Sequence, residues 1–315
     1  MNEAEILNGK KAIEERYGPW TAHNFSLGKD IFTMKTEVAG DEVKLRRVAQ
    51  IVSDVSNRPV GDLHILDLAC LEGMYSIEFA QQGARVCAIE GRKANIEKAR
   101  FAAQILSLSN VDFYQDDVRN LSEEKYGSFD VVLCLGILYH LNAPDLFSFL
   151  EKVFNVCRSF VVIDTHISLY PEESFQYNGR LYWGKTVLEH PPNTTVEEKQ
   201  KKLWASLDNP TSVYLTHPSL CCLLTHVGFT SVYECHIPEE PEKPENRVTF
   251  LAIKGKNENL ATCPQLQKNY AREFKEAFPQ DNRKKVPSVR PGWRILGMLL
   301  PHRLKDLLKR ILFSV

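Results

Sequence analysis

Acidic residues recur just past short apolar runs. Asp67 lies in ILDLACLEGMYS, Glu90 follows ARVCAI, and Asp116–Asp117 follow VDFYQ. An acid at a strand end can accept both hydroxyls of a ribose, and the next in the series can accept an adenine amino group. Tyr139 and His140 stand in LGILYHL after FDVVLC, and His166 lies two residues beyond Asp164 in SFVVIDTHI. A histidine with an ordinary pKa of about 6.5 can take a proton from an attacking hydroxyl. His140 and His166 are therefore the candidate bases. Asp164 and His166 could also form half of a metal site. No partner ligands accompany them and no Cys-x-x-Cys pair occurs among the eight cysteines, so no metal is expected.

Something must hold these residues together. Residues 41–57 carry Val43, Val48, Ile51, Val52 and Val55 at helical spacing. A regular alternation follows: LHILDLA as strand, GMYSIEFAQQG as helix, ARVCAIE as strand and RKANIEKARFAAQILS as helix. VDFYQ and FDVVLCLG read as strands, PDLFSFLEKVFNV as a helix and SFVVIDTHI as a strand. Such alternation predicts an α/β fold with a mostly parallel sheet covered on both faces. Ligands of these sheets sit at the carboxyl ends of the strands. That rule gathers residues 67–73, Glu90, Asp116 and Asp117, 135–140 and 164–166 at one crevice.

The core has additions. Residues 1–40 read as a short helix and an irregular aromatic segment, a lid in which Trp20, His23 and Asn24 could meet a ligand. Residues 41–168 are the alternating core. Residues 169–216 are too long and aromatic for a plain loop, and read as an inserted cap. Its Tyr177, Arg180, Tyr182, Trp183 and Trp204 are expected to shape an acceptor pocket. Residues 217–256 supply PSLCCLLTHVGF as a helix and SVYECHI and RVTFLAIKG as closing strands.

Residues 257–315 form the tail. Net charge is −1 overall, but from Asp281 onward nine Lys/Arg face two Asp/Glu, a net of +7, leaving an acidic body of about −8. PGWRILGMLLPHRLKDLLKRILFSV sets Leu304, Leu307, Leu308, Ile311 and Leu312 on one helical face among basic residues, as in helices that lie on anionic membrane surfaces. Helix packing on this domain or on a second subunit is the competing reading, and the oligomeric state is open. The acidic body and the lack of a recognisable module weigh against nucleic acid. The opening MNEAEILNGKK is not apolar, and the cysteines sit mostly in apolar runs. A cytoplasmic protein, with possible attachment to a membrane surface through the tail, is expected.

The series of strand ends resembles the class I S-adenosylmethionine-dependent methyltransferases, over residues 41–168 and again over 217–254. The resemblance implies a Rossmann-like seven-stranded sheet with its last strand antiparallel. It also implies a first loop of the form Asp-x-Gly-x-Gly-x-Gly. Here that loop reads Asp67-Leu-Ala69-Cys70-Leu71-Glu72-Gly73, with two of the three glycines replaced. By resemblance this turn, Glu90 and Gly91, Asp116 or Asp117 with Val118, and Leu135 and Gly136 hold S-adenosylmethionine. A dinucleotide-binding dehydrogenase would instead want Gly-x-Gly-x-x-Gly, which ACLEGM lacks.

The stretch FDVVLCLGILYHLNAPDLF is similar to the subgroup containing the bacterial tRNA wobble-uridine carboxymethyl-transferring enzymes. There the tyrosine faces the transferred group, which implies an active-site Tyr139 here. Those enzymes also hold an extra cofactor carboxylate with basic residues, and Lys29 is the nearest by position. The expected function is methyl transfer to an oxygen of a small-molecule, lipid or glycan-type acceptor, with Tyr139, His140, Asp164 and His166 around the chemistry. A tRNA-modifying enzyme and a non-catalytic binding protein of the same fold are the alternatives.

Overall fold

The computed structural model describes residues 2–34, 41–240 and 243–255 of the 315. The basic tail, with its amphipathic stretch and membrane-surface expectation, lies outside the described residues.

Apolar runs form the central strands because both of their faces are covered. β1 (His64–Leu68), β2 (Arg85–Glu90), β3 (Val111–Gln115), β4 (Phe129–Leu135) and β5 (Cys157–His166) are parallel neighbours in the order β3-β2-β1-β4-β5. β1 lies between β2 and β4, so the strand order reverses there and a crevice opens at the carboxyl ends. β9 (Ser231–Glu234) and β10 (Arg247–Ile253) complete seven strands, with β10 antiparallel to both β5 and β9. The sequence expectation of a mostly parallel sheet with an antiparallel last strand is what the chain builds.

Helices cover both faces. α1 (Glu3–Tyr17) starts with a capping box between Asn2 and Glu5, and α2 (Asp41–Val55) buries Val48, Ile51 and Val52. α3 (Met74–Gln81) and α4 (Lys93–Ile105) follow β1 and β2. Ile96, Ala99, Ala102 and Ala103 give α4 a small-residue face against the sheet. After the short α5 (Glu123–Tyr126), α6 (Asp145–Val156) buries Leu146, Phe147, Phe149, Leu150, Val153 and Val156. No helix among the described residues is long and apolar enough to cross a membrane.

The insert has its own sheet of β6 (Glu173–Tyr177), β7 (Arg180–Leu188) and β8 (Thr211–Leu215), all antiparallel. Asn178 and Gly179 turn the first hairpin with φ of +48° and +74°, as a two-residue Asn-Gly turn requires. Between β7 and β8 a strap carries α7 (Val196–Lys201). The Val213 N–H donates to the Leu141 carbonyl at 2.9 Å, tying the insert to the loop after β4. α8 (His217–Val227), capped by Thr216, returns the chain to the core.

Candidate active site

The turn after β1 keeps the backbone of a glycine loop without its glycines. Ala69 and Leu71 have φ of +56° and +48°, in the left-handed region that side chains disfavour. Gly73 follows at +86° and opens α3. A Cβ on Gly73 would lie 2.8 Å from the Ala99 Cβ, so α4 packs directly against this turn. Leu71 lines a cavity together with Ala69.

Glu90 closes the end of β2, 2% exposed. Its carboxylate accepts the Leu71 N–H at 3.0 Å and the Arg92 N–H at 2.7 Å. Burial raises its pKa, while those amides and the Arg92 charge pull the other way. A carboxylate offers about four acceptor sites, so capacity remains toward the cavity for the two hydroxyls of a ribose. Gly91 sits directly beneath the strap, since a Cβ there would meet Leu207 Cδ1 at 2.3 Å.

Asp117, Val118, Leu135 and Gly136 also line this cavity. Asp116 does not. It bonds Lys125 at 2.5 Å, Tyr126 at 2.5 Å and Asn120 at 2.9 Å, contacts that outweigh its desolvation and draw its pKa to about 2. Of the two acids only Asp117 lines the cavity, and Arg119 already engages its carboxylate at 2.6 Å. The side chains present thus suit an adenosyl cofactor: an acid at the end of β2, a polar edge after β3 and an apolar floor.

Other residues of the turn serve the scaffold. Cys70 is buried in the core, and Asp67 is buried beneath the turn, accepting from Ser76 Oγ at 2.5 Å. Burial pushes the Asp67 carboxyl up to about 7 despite that bond. Glu72, expected to face the cofactor, is fully buried and points the other way. It accepts the N–H groups of Thr21, Ala22 and His23 at 2.9–3.1 Å and pairs with Lys98 at 3.0 Å. It therefore fastens the N-terminal segment to the core.

Among the described residues of that segment, only Ala22 and His23 line the cavity. Burial pushes His23 down to about 4, against the pull of Glu72. Trp20 is corrected to a core residue, edge-on to Phe25 with centroids 5.7 Å apart. Asn24 accepts the Met34 N–H at 3.1 Å and does not line the cavity. Lys29 is exposed on a turn.

The insert reaches the site through its strap. Leu203 to Asn209 line the cavity, and Arg92 donates to the carbonyls of Lys202 and Ala205 at 2.9 and 2.7 Å. Arg119 reaches Asp208 at 2.7 Å. Trp204, 63% exposed, stands at the opening. The four other insert residues expected there lie elsewhere. Tyr182 is buried with its hydroxyl 2.9 Å from His226 Nδ1, and Tyr177 stacks on Phe147 at 4.8 Å. Arg180 is exposed beside the hairpin turn, and Trp183 is half-buried with its N–H on Ser219 Oγ. None of the four lines the cavity.

A second compartment adjoins the first and shares Tyr139, His140, Trp204, Ala205 and Arg247 with it. His166, Tyr214, Lys202 and Glu189 complete much of its wall. His140 Nδ1 lies 3.0 and 3.1 Å from the two Glu189 oxygens. Burial would raise the Glu189 pKa, but the His140 contact outweighs it and the carboxyl is held low. The His166 Nδ1 is 3.2 Å from Asn246 Oδ1, and its Nε2 is 3.2 Å from Arg247 Nη1. Burial and that guanidinium lower the His166 pKa.

Asp164, expected at the chemistry, is instead buried and lines neither compartment. It holds Arg247 at 2.5 and 2.6 Å, accepts from Thr249 at 2.7 Å and lies 3.9 Å from Lys44. Arg247 in turn donates to the Tyr139 hydroxyl at 3.2 Å. Arg247, Lys44, Arg92, Arg119 and Glu189 are site residues that sequence reading missed. For Arg247 a signal existed. β10 runs antiparallel to β5, so its first residue must lie beside the last residues of β5, and Arg247 pairs with His166.

This architecture is the class I S-adenosylmethionine-dependent methyltransferase fold. Residues 65–159 match the family described as "Methyltransferase domain". Over 103 residues the chain is 26% identical to a ubiquinone biosynthesis O-methyltransferase of Acinetobacter baylyi, covering 33% of this chain and 41% of that protein. The protein of the same name from Pelagibacter ubique is 30% identical over 151 residues, covering 47% of this chain and 58% of it. The matches therefore span about half the length of these curated relatives. The N-terminal domain of EvdMO1, solved in the presence of SAH and D-fucose, superposes with a TM-score of 0.61 at 23% identity, covering 82% of this chain and 98% of that one.

Proposed function

We propose that the protein is a methyltransferase that uses S-adenosylmethionine to methylate a hydroxyl of a small molecule. One observation carries this reading: Leu71, Glu90, Asp117 and Gly136, each at or just past the end of a successive strand, line a single cavity. Glu90 would accept the ribose hydroxyls and Asp117 would face the adenine. When bound, the cofactor supplies an electrophilic methyl group on a sulfonium, and the C–S electron pair returns to sulfur on transfer.

The chain's own residues do the rest. The strap between β7 and β8 covers the cavity and excludes water. The second compartment would hold the acceptor, with Trp204 and Tyr214 as aromatic walls. His140 would take the acceptor's proton as its oxygen attacks. His166 is the poorer base, because Arg247 donates to its Nε2 and only a protonated Nδ1 can donate to the Asn246 oxygen. Tyr139, oriented by Arg247, would sit beside the transferred group. The relatives' name as O-methyltransferases, and the D-fucose present with EvdMO1, support a hydroxyl acceptor on a small molecule.

Incubation with S-adenosylmethionine and either a catechol or D-fucose tests this. The expected result is S-adenosylhomocysteine formation that depends on one of these acceptors and is lost in His140→Gln. A folded protein that binds no S-adenosylmethionine would overturn the reading. A second reading, carboxymethyl transfer of the wobble-uridine type, has its own support. The cation on the Tyr139 hydroxyl is Arg247, and Lys44 rather than Lys29 lines the same cavity, so an extra cofactor carboxylate could dock there. Tighter binding of a carboxylated cofactor than of S-adenosylmethionine would favour it.

A further inference from the structure

His140 and Glu189 come from different parts of the chain. His140 ends a short 3-10 turn after β4, and Glu189 follows the last residue of β7 in the insert. Both oxygens of Glu189 lie within 3.1 Å of the same imidazole nitrogen. The carboxylate is itself fixed. Its Oε2 accepts the Ser206 N–H at 2.8 Å, and its backbone is held by Lys202 Nζ on its carbonyl at 2.7 Å and by its own N–H on Pro210 at 2.9 Å. At 6% exposure, water does not compete well for it. An ionised carboxylate only accepts, so His140 Nδ1 must carry the proton, and in the neutral imidazole Nε2 then holds the lone pair.

We propose that Glu189 is a positioning residue supplied by the insert: it holds His140 in the Nδ1–H tautomer so that Nε2 can take the proton of the acceptor hydroxyl. The proposal rests on the methyl-transfer reading above and adds a reason for the insert. The strap that covers the cofactor cavity also carries Ser206, which orients Glu189, so a properly seated strap and a properly set base are the same condition. The other titratable or charged groups around this compartment are Tyr139, His166, Tyr214, Lys202 and Arg247. None of them touches His140 Nδ1 in a described hydrogen bond.

Nitrogen-15 NMR of histidine-labelled protein tests the proposal without needing the acceptor. In the native protein one imidazole, identified by its loss in His140→Gln, should show the Nδ1–H tautomer. In Glu189→Gln that imidazole should shift toward the Nε2–H form, because the carboxylate that can only accept at Nδ1 is gone. Glu189→Asp should restore the native tautomer in part, which separates positioning from mere loss of fold. Turnover with a catechol or D-fucose should fall at least tenfold in Glu189→Gln with little change in KM for S-adenosylmethionine. An unchanged tautomer in Glu189→Gln, in protein that melts as the native does, would overturn the proposal. Full turnover in His140→Gln would instead overturn the assignment of the base and leave the tautomer result standing.

Discussion

The Leu71 N–H donates to the Glu90 carboxylate at 3.0 Å, joining the turn after β1 to the end of β2. This bond needs Leu71 in a left-handed conformation, with φ of +48°. The chain thus keeps the loop geometry that glycine ordinarily permits and carries the strain in side-chain-bearing residues. The strain is of order 1–2 kcal/mol per residue.

Leu71→Gly should therefore be tolerated. Relief of about 1–2 kcal/mol of strain is offset by roughly 0.5–1 kcal/mol of added chain entropy in the unfolded state. Urea denaturation should show a change under about 1.5 kcal/mol. Gly73→Ala should behave oppositely, losing roughly 2–4 kcal/mol from a φ of +86° and from the Ala99 contact.

Glu72 is the anchor of the N-terminal segment. Glu72→Ala leaves the Lys98 ammonium buried without its partner, a change expected to cost about 3–5 kcal/mol. Limited proteolysis should then cut faster within residues 18–34, because Glu72 holds the backbone amides of Thr21, Ala22 and His23. Replacing Glu72 and Lys98 together by methionine should cost clearly less than Glu72→Ala, since no buried charge remains. Equal losses would mean that the ion pair is not what holds the segment.

Asp67 gives a pH signature. Its folded pKa is about 7 against an ordinary 3.8, because burial favours the neutral acid. The folded protein keeps the proton while the unfolded chain loses it. Stability from this group is full below about pH 4, is lost as pH rises toward 7, and is level above that. The full span is at most roughly 4 kcal/mol. Asp67→Asn does not titrate. Denaturation at pH 4.5 and pH 8 should therefore show the native protein losing more stability over that interval than the variant, and parallel behaviour would contradict the assignment.

Much of the sheet could be read from the sequence because its strands are continuous apolar runs between helices of clear period. Glu90 was legible for the same reason, being the first acid after such a run. Glu72 was not, because a polar residue in a turn looks the same whether it faces a ligand or fastens another segment. Asp164 misled similarly: an acid near the end of β5 could serve chemistry, but it neutralises Arg247, which lies on the adjacent β10 and 83 residues away in sequence. In the insert, aromatic content drew attention to Tyr177, Tyr182 and Trp183, of which Tyr182 is buried, Tyr177 stacks on Phe147 and Trp183 is half-buried on the opposite face of β7. The Asn178–Gly179 pair would have marked a hairpin and put those residues in a small sheet, leaving the strap as the part free to cover the site. The contact between Glu189 and His140, 49 residues apart, has no local signal at all.

Isothermal titration with S-adenosylmethionine addresses the cofactor site most directly. The native protein should bind it with one site per chain. Glu90→Ala should remain folded by its thermal melt and bind at least tenfold more weakly, because the ribose hydroxyls lose their acceptor. Absence of binding by folded native protein, or undiminished binding by Glu90→Ala, would contradict the assignment of the crevice at the ends of β1, β2 and β4 as the cofactor site.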